Sequence, residues 1–341
     1  MPTQVRQPDV DAVLERRMPA YGRNFYKGPR ILPDIGVLYL YRFTEDGILV
    51  RNFLDSYRDH PAGLEHDLYV IFKGFPDRKA LASARALFGT LPINPIVLDD
   101  SGFDIGSYIA AAKAVPNRRL IFFKASNRIL ASNWLFHFDR ALSLPRAGVV
   151  GATGSWEAYA SDIEGALITA LRRIRYRPND NRSRVAAEAV ARNGEWQRPK
   201  RALKLYVLSP FYYFYYLYQS GRYPNPHIRP NSFMIERDRF LSLRVPSFLS
   251  KNDALQFESE RGSMTRQILA QGLRPLIMDR TGKVYDVPEW NSSNTFRSGG
   301  QVNLIVEDNR TREYASANPE FKRVLENQAW VHPWSWGTSK V

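Results

Sequence analysis

Three short stretches hold residue types that can do chemistry. "LDDSGFDIGSY", residues 98–108, sets Asp99, Asp100 and Asp104 around Gly102 and Gly106. Carboxylates placed there can accept bonds from ribose hydroxyls or a base, and the glycines allow tight turns and close ligand approach. A helix opening near Asp104 adds free N–H groups and the positive end of its dipole. The plainer alternative is an N-cap at Asp104 beside a glycine turn. "RRLIFFKASN", residues 118–127, is an apolar run that stops abruptly in Lys124, Ser126 and Asn127. Read alone, it is a strand end meeting solvent. "FESER", residues 257–261, carries Glu258 and Glu260 followed by Arg261. Two residues apart, the acids share a face on extended chain but not on a helix. A helix N-terminus enriched in acids is the alternative. His227, in "NPHIRPNSF", can bond a sugar or a phosphate, or be an ordinary half-buried histidine. The five histidines show no metal-ligand spacing, so no zinc site is expected.

The elements that must position these residues follow from periodicity. "GVLYLYRF" from Gly36, "HDLYVIFKGF", "INPIVLDD", "RRLIFFKAS" and "AGVVGATGS" read as strands. Between them lie helical patterns. One has Leu49, Phe53 and Tyr57 four apart, one closes at Gly89, one enters at Asp104 and stops before Pro116, and one is "NWLFHFDRALS". Such alternation predicts an α/β fold with a mostly parallel sheet flanked by helices, where ligands bind beyond the carboxyl ends of the strands. Those ends are Arg42–Asp46, Lys73–Phe75, Asp99–Asp104, Lys124–Asn127 and Thr153–Ser155. The expected organisation is an arm over 1–30, a first half over 31–156, a basic, aromatic helical insertion over 157–225, a second half over 226–290 and an extension over 291–341.

The 341 residues contain no cysteine, which excludes disulfides, thiolate zinc and cysteine nucleophiles. The start shows no secretory h-region, and no run is long enough to span a membrane. Net charge is +14, which suits a phosphate-rich partner: nucleic acid, anionic lipid or a nucleotide-linked substrate. Residues 172–204 hold eleven Arg and Lys against three acids. Just downstream, Phe211, Phe214, Tyr215 and Tyr218 fall on one helical face. Cations beside an aromatic amphipathic helix read as peripheral membrane contact through 172–219, or as a helix packed on the sheet or lining a groove.

In order and spacing, "SGFDIGSY", "ASNWLFHF", "MIERDRF", "FESER" and "RQILAQGL" resemble the GT-A fold nucleotide-diphosphosugar glycosyltransferases of family 2, closest to the rhamnan or capsular polysaccharide type. The resemblance covers about residues 36–290, interrupted by the insertion. It implies a Rossmann-like, GT-A-like fold and transfer of a hexosyl or deoxyhexosyl unit from a nucleotide-diphosphate donor to a glycan or lipid-linked glycan. The products implied are surface polysaccharides. The family's DxD, which holds a divalent ion on the diphosphate, is degenerate here: Lys124–Ala125–Ser126 stands in its place. A lysine ammonium is a compact charge suited to phosphate. The expectation is therefore an inverting, metal-independent reaction. Mg or Mn, held by Asp99 or Asp100, is the disfavoured alternative.

By the same resemblance the donor lies against Arg42, Phe43, Lys73, Asp99, Asp100, Gly102, Asp104, Lys124, Ser126 and Asn127. The acceptor lies against Trp156, His227, Arg229, Asn231 and Arg261. Glu260 or Glu258 takes the acceptor proton, with the lean to Glu260. A cytoplasmic protein, peripheral on the inner membrane face, is the matching location. The competing classes are a basic nucleic-acid-binding protein, against which stands the lack of any RNP, KH, helix-turn-helix or zinc signature, and a non-catalytic transferase-like scaffold.

Overall fold

The first strand shows why this chain layers as it does. In β1 (Ile35–Arg42) the residues Val37, Tyr39 and Tyr41 face one core, while Leu38 and Leu40 face another. A strand buried on both faces reads as an unbroken apolar run and must lie inside a sheet covered by helices on both sides. The computed structural model describes residues 33–158, 214, 218, 222–247 and 250–332. All of them belong to a unit running from Pro33. The arm over 1–30, the basic stretch 172–204 and most of the insertion lie outside the described residues.

The remaining elements, in chain order, are α1 (Gly47–Asp59), β2 (Asp67–Lys73), α2 (Arg78–Ala86), β3 (Asn94–Leu98), α3 (Phe103–Ala114), β4 (Arg119–Lys124), β5 (Arg128–Ile129), α4 (Trp134–Leu142), β6 (Ala147–Gly151), β7 (Gly154–Ser155), β8 (His227–Ile228), β9 (Ser232–Glu236), α5 (Arg237–Ser242), α6 (Lys251–Glu258), α7 (Met264–Ala270), β10 (Arg274–Met278), β11 (Val284–Tyr285), β12 (Val306–Glu307), α8 (Asn309–Ser316) and α9 (Pro319–Trp330). The main sheet has eight strands in the order β11-β10-β6-β9-β4-β1-β2-β3. β9 runs antiparallel between β4 and β6, and β11 closes the far edge antiparallel to β10; the other pairings are parallel. This is the α/β, mostly parallel, helix-flanked sheet that the alternation predicts. On one face lie α1, α2 and α4, with Phe53, Phe88 and Trp134 fully inside. On the other lie α3, α5, α6 and α7, with Tyr108, Phe240, Phe257 and Ile268.

Two details differ from the sequence reading. Asp104 is not the cap of α3: Gly102 is, in left-handed backbone, and Asp104 sits in the first turn. "FES" belongs to the end of α6, a helix opened by a Ser250–Asp253 capping box that the sequence reading passes over. The C-terminal extension adds a separate two-stranded ladder beside the main sheet. β12 pairs antiparallel with β5, Glu307 opposite Arg128, and carries the chain to the exit of β4.

Candidate functional site

Parallel strands gather their carboxyl ends along one edge, and the antiparallel β9 brings its beginning to the same edge. Ser232 lies opposite Phe123, so Asn231 arrives beside Lys124. Arg42 and Lys73 end neighbouring strands in register. The sheet thus brings together the expected donor residues Arg42, Phe43, Lys73, Asp99, Asp100, Gly102, Asp104 and Lys124, and sets Asn231 against them.

On the donor side, Arg42 grips Asp100 with two parallel bonds, both 2.7 Å, across the end of β2. The guanidinium holds the Asp100 carboxyl below its usual range. The ladder runs past the strands, Phe43 N–H to Lys73 O at 2.9 Å and Gly74 N–H to Leu98 O at 3.0 Å. Phe43 stays exposed and packs edge-on against Phe75. Asp99 accepts from the backbone N–H of Ser101 at 3.2 Å. Glu45, absent from the expected set, accepts from Arg42 N–H at 3.1 Å. Burial pushes its carboxyl up and Asp104 adds to this, against the Arg42 bond and the charges of Lys124 and Arg42.

At the β4 exit the chain makes a pinned turn. Lys124 N–H donates to the Asn127 side chain at 2.7 Å, and Asn127 N–H returns to Lys124 O at 2.9 Å. The Asn127 amide donates to Glu307 O at 3.2 Å, and Arg312 donates to Ser126 O at 3.0 Å. Asn127 is buried, with both ends of its amide engaged by backbone. Ser126 lines a cleft of about 280 Å³ on the α1 side, with Asn52, Asp55, Arg128, Glu307 and Arg312. Lys124 itself is half-buried, and its charge is felt by Glu45 from β1 and by Asp308 from the extension. The apolar strand thus ends in a half-buried cation whose charge favours the ionised form of both Glu45 and Asp308.

Asp308 is fully buried and was invisible as a site residue. It accepts from Arg229 at 2.9 Å, from the Asn231 amide and from Thr311 N–H, and it caps α8. Burial alone would raise its carboxyl, but Arg229, Lys124 and the Thr311 bond outweigh this and hold it at about 2. Arg229 also donates to Thr153 at 3.3 Å and lies over the Phe296 ring at 4.2 Å. Arg229 and Asn231 thus build the wall of the site around Asp308.

The acceptor side is organised by another residue that sequence reading missed. Asn225 N–H donates to Trp156 O, its amide donates to Ser259 O at 2.6 Å, its side-chain oxygen accepts from Arg266 at 2.8 Å, and its carbonyl meets His227 Nδ1 at 2.9 Å. It ties Trp156, His227 and the Glu258–Arg261 loop into one body. His227 is buried, and burial pulls its imidazole below the ordinary range. Trp156 is half-buried, its indole bonded to Val287 O and edge-on to Trp330. Arg261 lies 5.3 Å over the Tyr218 ring. Glu258, the last residue of α6, raises the Tyr108 hydroxyl together with Asp104 and Glu45, after burial as the main cause. Glu260 is 0% exposed, and neither oxygen has a hydrogen-bond partner among the described residues. Burial pushes its carboxyl up.

Could this edge hold a divalent ion? Among the described residues no three His, Asp or Glu side chains converge to hold a metal. The donor set at the β4 exit also argues against a fit. Its own residue is an ammonium, Asp100 is gripped by Arg42, and Asp308 is ringed by Arg229, Asn231 and Lys124. A hard cation needs free oxygen ligands.

No family model matches the chain, and no curated protein does. Among solved structures it is similar to the mannosyltransferase PcManGT from Pyrobaculum calidifontis in complex with GDP-Man and Mn²⁺, at 12% identity and a TM-score of 0.42 over 96% of this chain and 78% of that one. It is similar to residues 1–349 of S. aureus TarS in complex with UDP-GlcNAc, at 15% identity and a TM-score of 0.28 over 34% of this chain and 33% of that one. A third is a Desulfovibrio desulfuricans G20 protein named a nucleotide-diphospho-sugar transferase, at 14% identity and a TM-score of 0.28, over 35% of this chain and 59% of the other. The chain thus spans less than two thirds of the length of the last two. These are distant likenesses of backbone to nucleotide-sugar transferases; the chemistry of the site rests on this chain's own residues.

Proposed function

We propose that the protein is a glycosyltransferase that uses a nucleotide-diphosphate sugar and passes the sugar, with inversion and without a metal, to a hydroxyl of a glycan or lipid-linked glycan in surface polysaccharide synthesis. The observation that carries the reading is the half-buried Lys124 at the end of β4, whose charge acts on both Glu45 and Asp308. A fixed cation where charge develops on a leaving diphosphate is electrostatic catalysis without a bound ion. The acceptor oxygen attacks the anomeric carbon on the face opposite the diphosphate. The bond from that carbon to the diphosphate oxygen breaks with its electron pair, and the nucleoside diphosphate leaves against Lys124. The acceptor's hydroxyl proton passes to Glu260, a carboxylate without a hydrogen-bond partner among the described residues, whose burial makes it a stronger base than an ordinary glutamate. Base and ribose lie by Arg42, Phe43 and Asp99–Asp104. The acceptor lies by Trp156, His227 and Arg229.

Turnover of nucleotide sugars measured with a chelator present should match turnover without it, and Lys124→Met should lower kcat about 10²–10³-fold. Turnover abolished by the chelator and restored by Mg or Mn would sink the metal-independent reaction.

The protein also docks on anionic lipid through 172–219, at the inner face of the membrane. Phe214 and Tyr218 are both exposed, and eleven cations lie upstream. No helix among the described residues is long and apolar enough to cross a membrane. Cosedimentation with anionic vesicles should be strong at low salt and fade as salt rises. Equal binding to neutral vesicles would contradict this.

A further inference from the structure

Lys73 ends β2 with its side chain 1% exposed, an unusual place for an ammonium. It donates to the carbonyl of Phe103 at 2.5 Å, and the Ser107 hydroxyl donates to the same oxygen at 2.9 Å. Phe103 carries φ +53°, directly after Gly102 at φ +75°. Glycine accepts left-handed backbone; a bulky aromatic does not, and it persists there only where its surroundings impose it. Two donors on one carbonyl, one of them charged and in a low-dielectric setting, are such an imposition. The turn they hold opens α3, and Gly106 N–H closes it on Gly102 O at 2.8 Å. It also leaves the Phe103 ring exposed at the strand edge, where Phe43 is exposed too.

The ammonium is thus spent on the backbone of this turn. We infer that Lys73 is a positioning residue: it clamps the Gly102–Phe103 turn so that the start of α3 and the Phe103 ring keep their aim at the bound nucleotide. The inference rests on the donor site proposed above. The charged groups that face the ammonium are Asp104 on α3, Asp100 and Asp99 on the loop before it, and Arg42 at the end of β1. Burial pulls the lysine below its ordinary range, and the three aspartates oppose this.

Residue-resolved hydrogen exchange reads the clamp without any ligand. In Lys73→Met the Gly106 amide should exchange about tenfold faster, the loss of roughly one good hydrogen bond, while the amides of α4 keep their rates. Phe103→Gly added to Lys73→Met should return Gly106 toward the wild-type rate, because glycine takes the left-handed turn unaided. Lys73→Arg should restore it in part. In steady state, KM for the nucleotide sugar should rise about tenfold in Lys73→Met with kcat little changed, as loss of a ground-state binding geometry requires. An unchanged Gly106 rate in Lys73→Met, or a rise shared equally by α4, or fast exchange persisting in the double variant, would each overturn the clamp. If the turn loosens as expected but wild-type protein binds no nucleoside diphosphate from a panel of UDP, GDP, CDP, ADP and dTDP, the clamp stands and the donor reading falls.

Discussion

Glu260→Gln is expected to lower kcat by about 10²–10⁴-fold, the range for loss of a positioned general base, and to leave KM for the nucleotide sugar nearly unchanged. The glutamine keeps the shape of the side chain and removes the charge. Because burial raises the Glu260 carboxyl, the acid limb of the wild-type pH–rate profile should lie above the ordinary glutamate value of 4.5. Activity should fall as pH drops through that raised value, since the base must be ionised to take a proton. Stability carries the opposite sign. A carboxyl raised in the fold favours the neutral form, so its contribution is full at low pH and lost as pH rises through the folded value. Glu260→Gln should therefore raise Tm at neutral pH, and the gain should vanish in acid. A variant that keeps wild-type turnover would remove Glu260 from the reaction and leave Glu258 as the base.

Asp308→Ala is expected to cost about 3–5 kcal/mol of stability, because it leaves the Arg229 guanidinium buried without its partner. For a chain of this size that is a drop of roughly 4–7 °C in Tm. The same change removes the N-cap of α8 and frees the Asn231 amide. The carboxyl is held near 2 against an ordinary 3.8, so it contributes about 2 kcal/mol that is present above the unfolded value and lost as pH falls toward 2. Wild-type protein should thus lose stability below about pH 4 more steeply than Asp308→Asn. Thermal unfolding of the three proteins from pH 2.5 to 7 decides it. Identical Tm values at pH 7 would mean the network around Asp308 does not hold the strand edge together.

How much of this was legible in the sequence varies with how far apart the partners lie. The β1 run announces a strand buried on both faces, and the residues at the ends of β1 to β4 follow from strand–helix alternation alone. The direction in which each side chain points does not follow. Lys73 and Lys124 both end parallel strands. One turns inward to a carbonyl whose position depends on the backbone of Phe103, and the other stays at the edge. Periodicity carries no record of a single left-handed residue. The acids of "FESER" were found, but their spacing could not separate them, because α6 stops at Glu258 and Glu260 falls in the turn beyond it. Asp308 was hidden by distance. Its wall forms through contacts such as Asn127 to Glu307, which are 180 residues apart. The one local sign was the Asp–x–x–Thr spacing of Asp308 and Thr311, which marks a helix start and says nothing of what the carboxylate faces. Asn225, the hub of the acceptor side, sits in "YPNPH" with no pattern around it to single it out.

The ammonium of Lys124 against the leaving diphosphate is the claim on which the mechanism turns. Isothermal titration of wild-type protein and Lys124→Met with the nucleoside diphosphate that wild type binds, and with its uncharged nucleoside, tests it directly. The account predicts that Lys124→Met weakens the diphosphate by tenfold or more, the worth of a charge-assisted bond at about 1.5–3 kcal/mol, and leaves the nucleoside unaffected. Equal affinity of the two proteins for the diphosphate would contradict it.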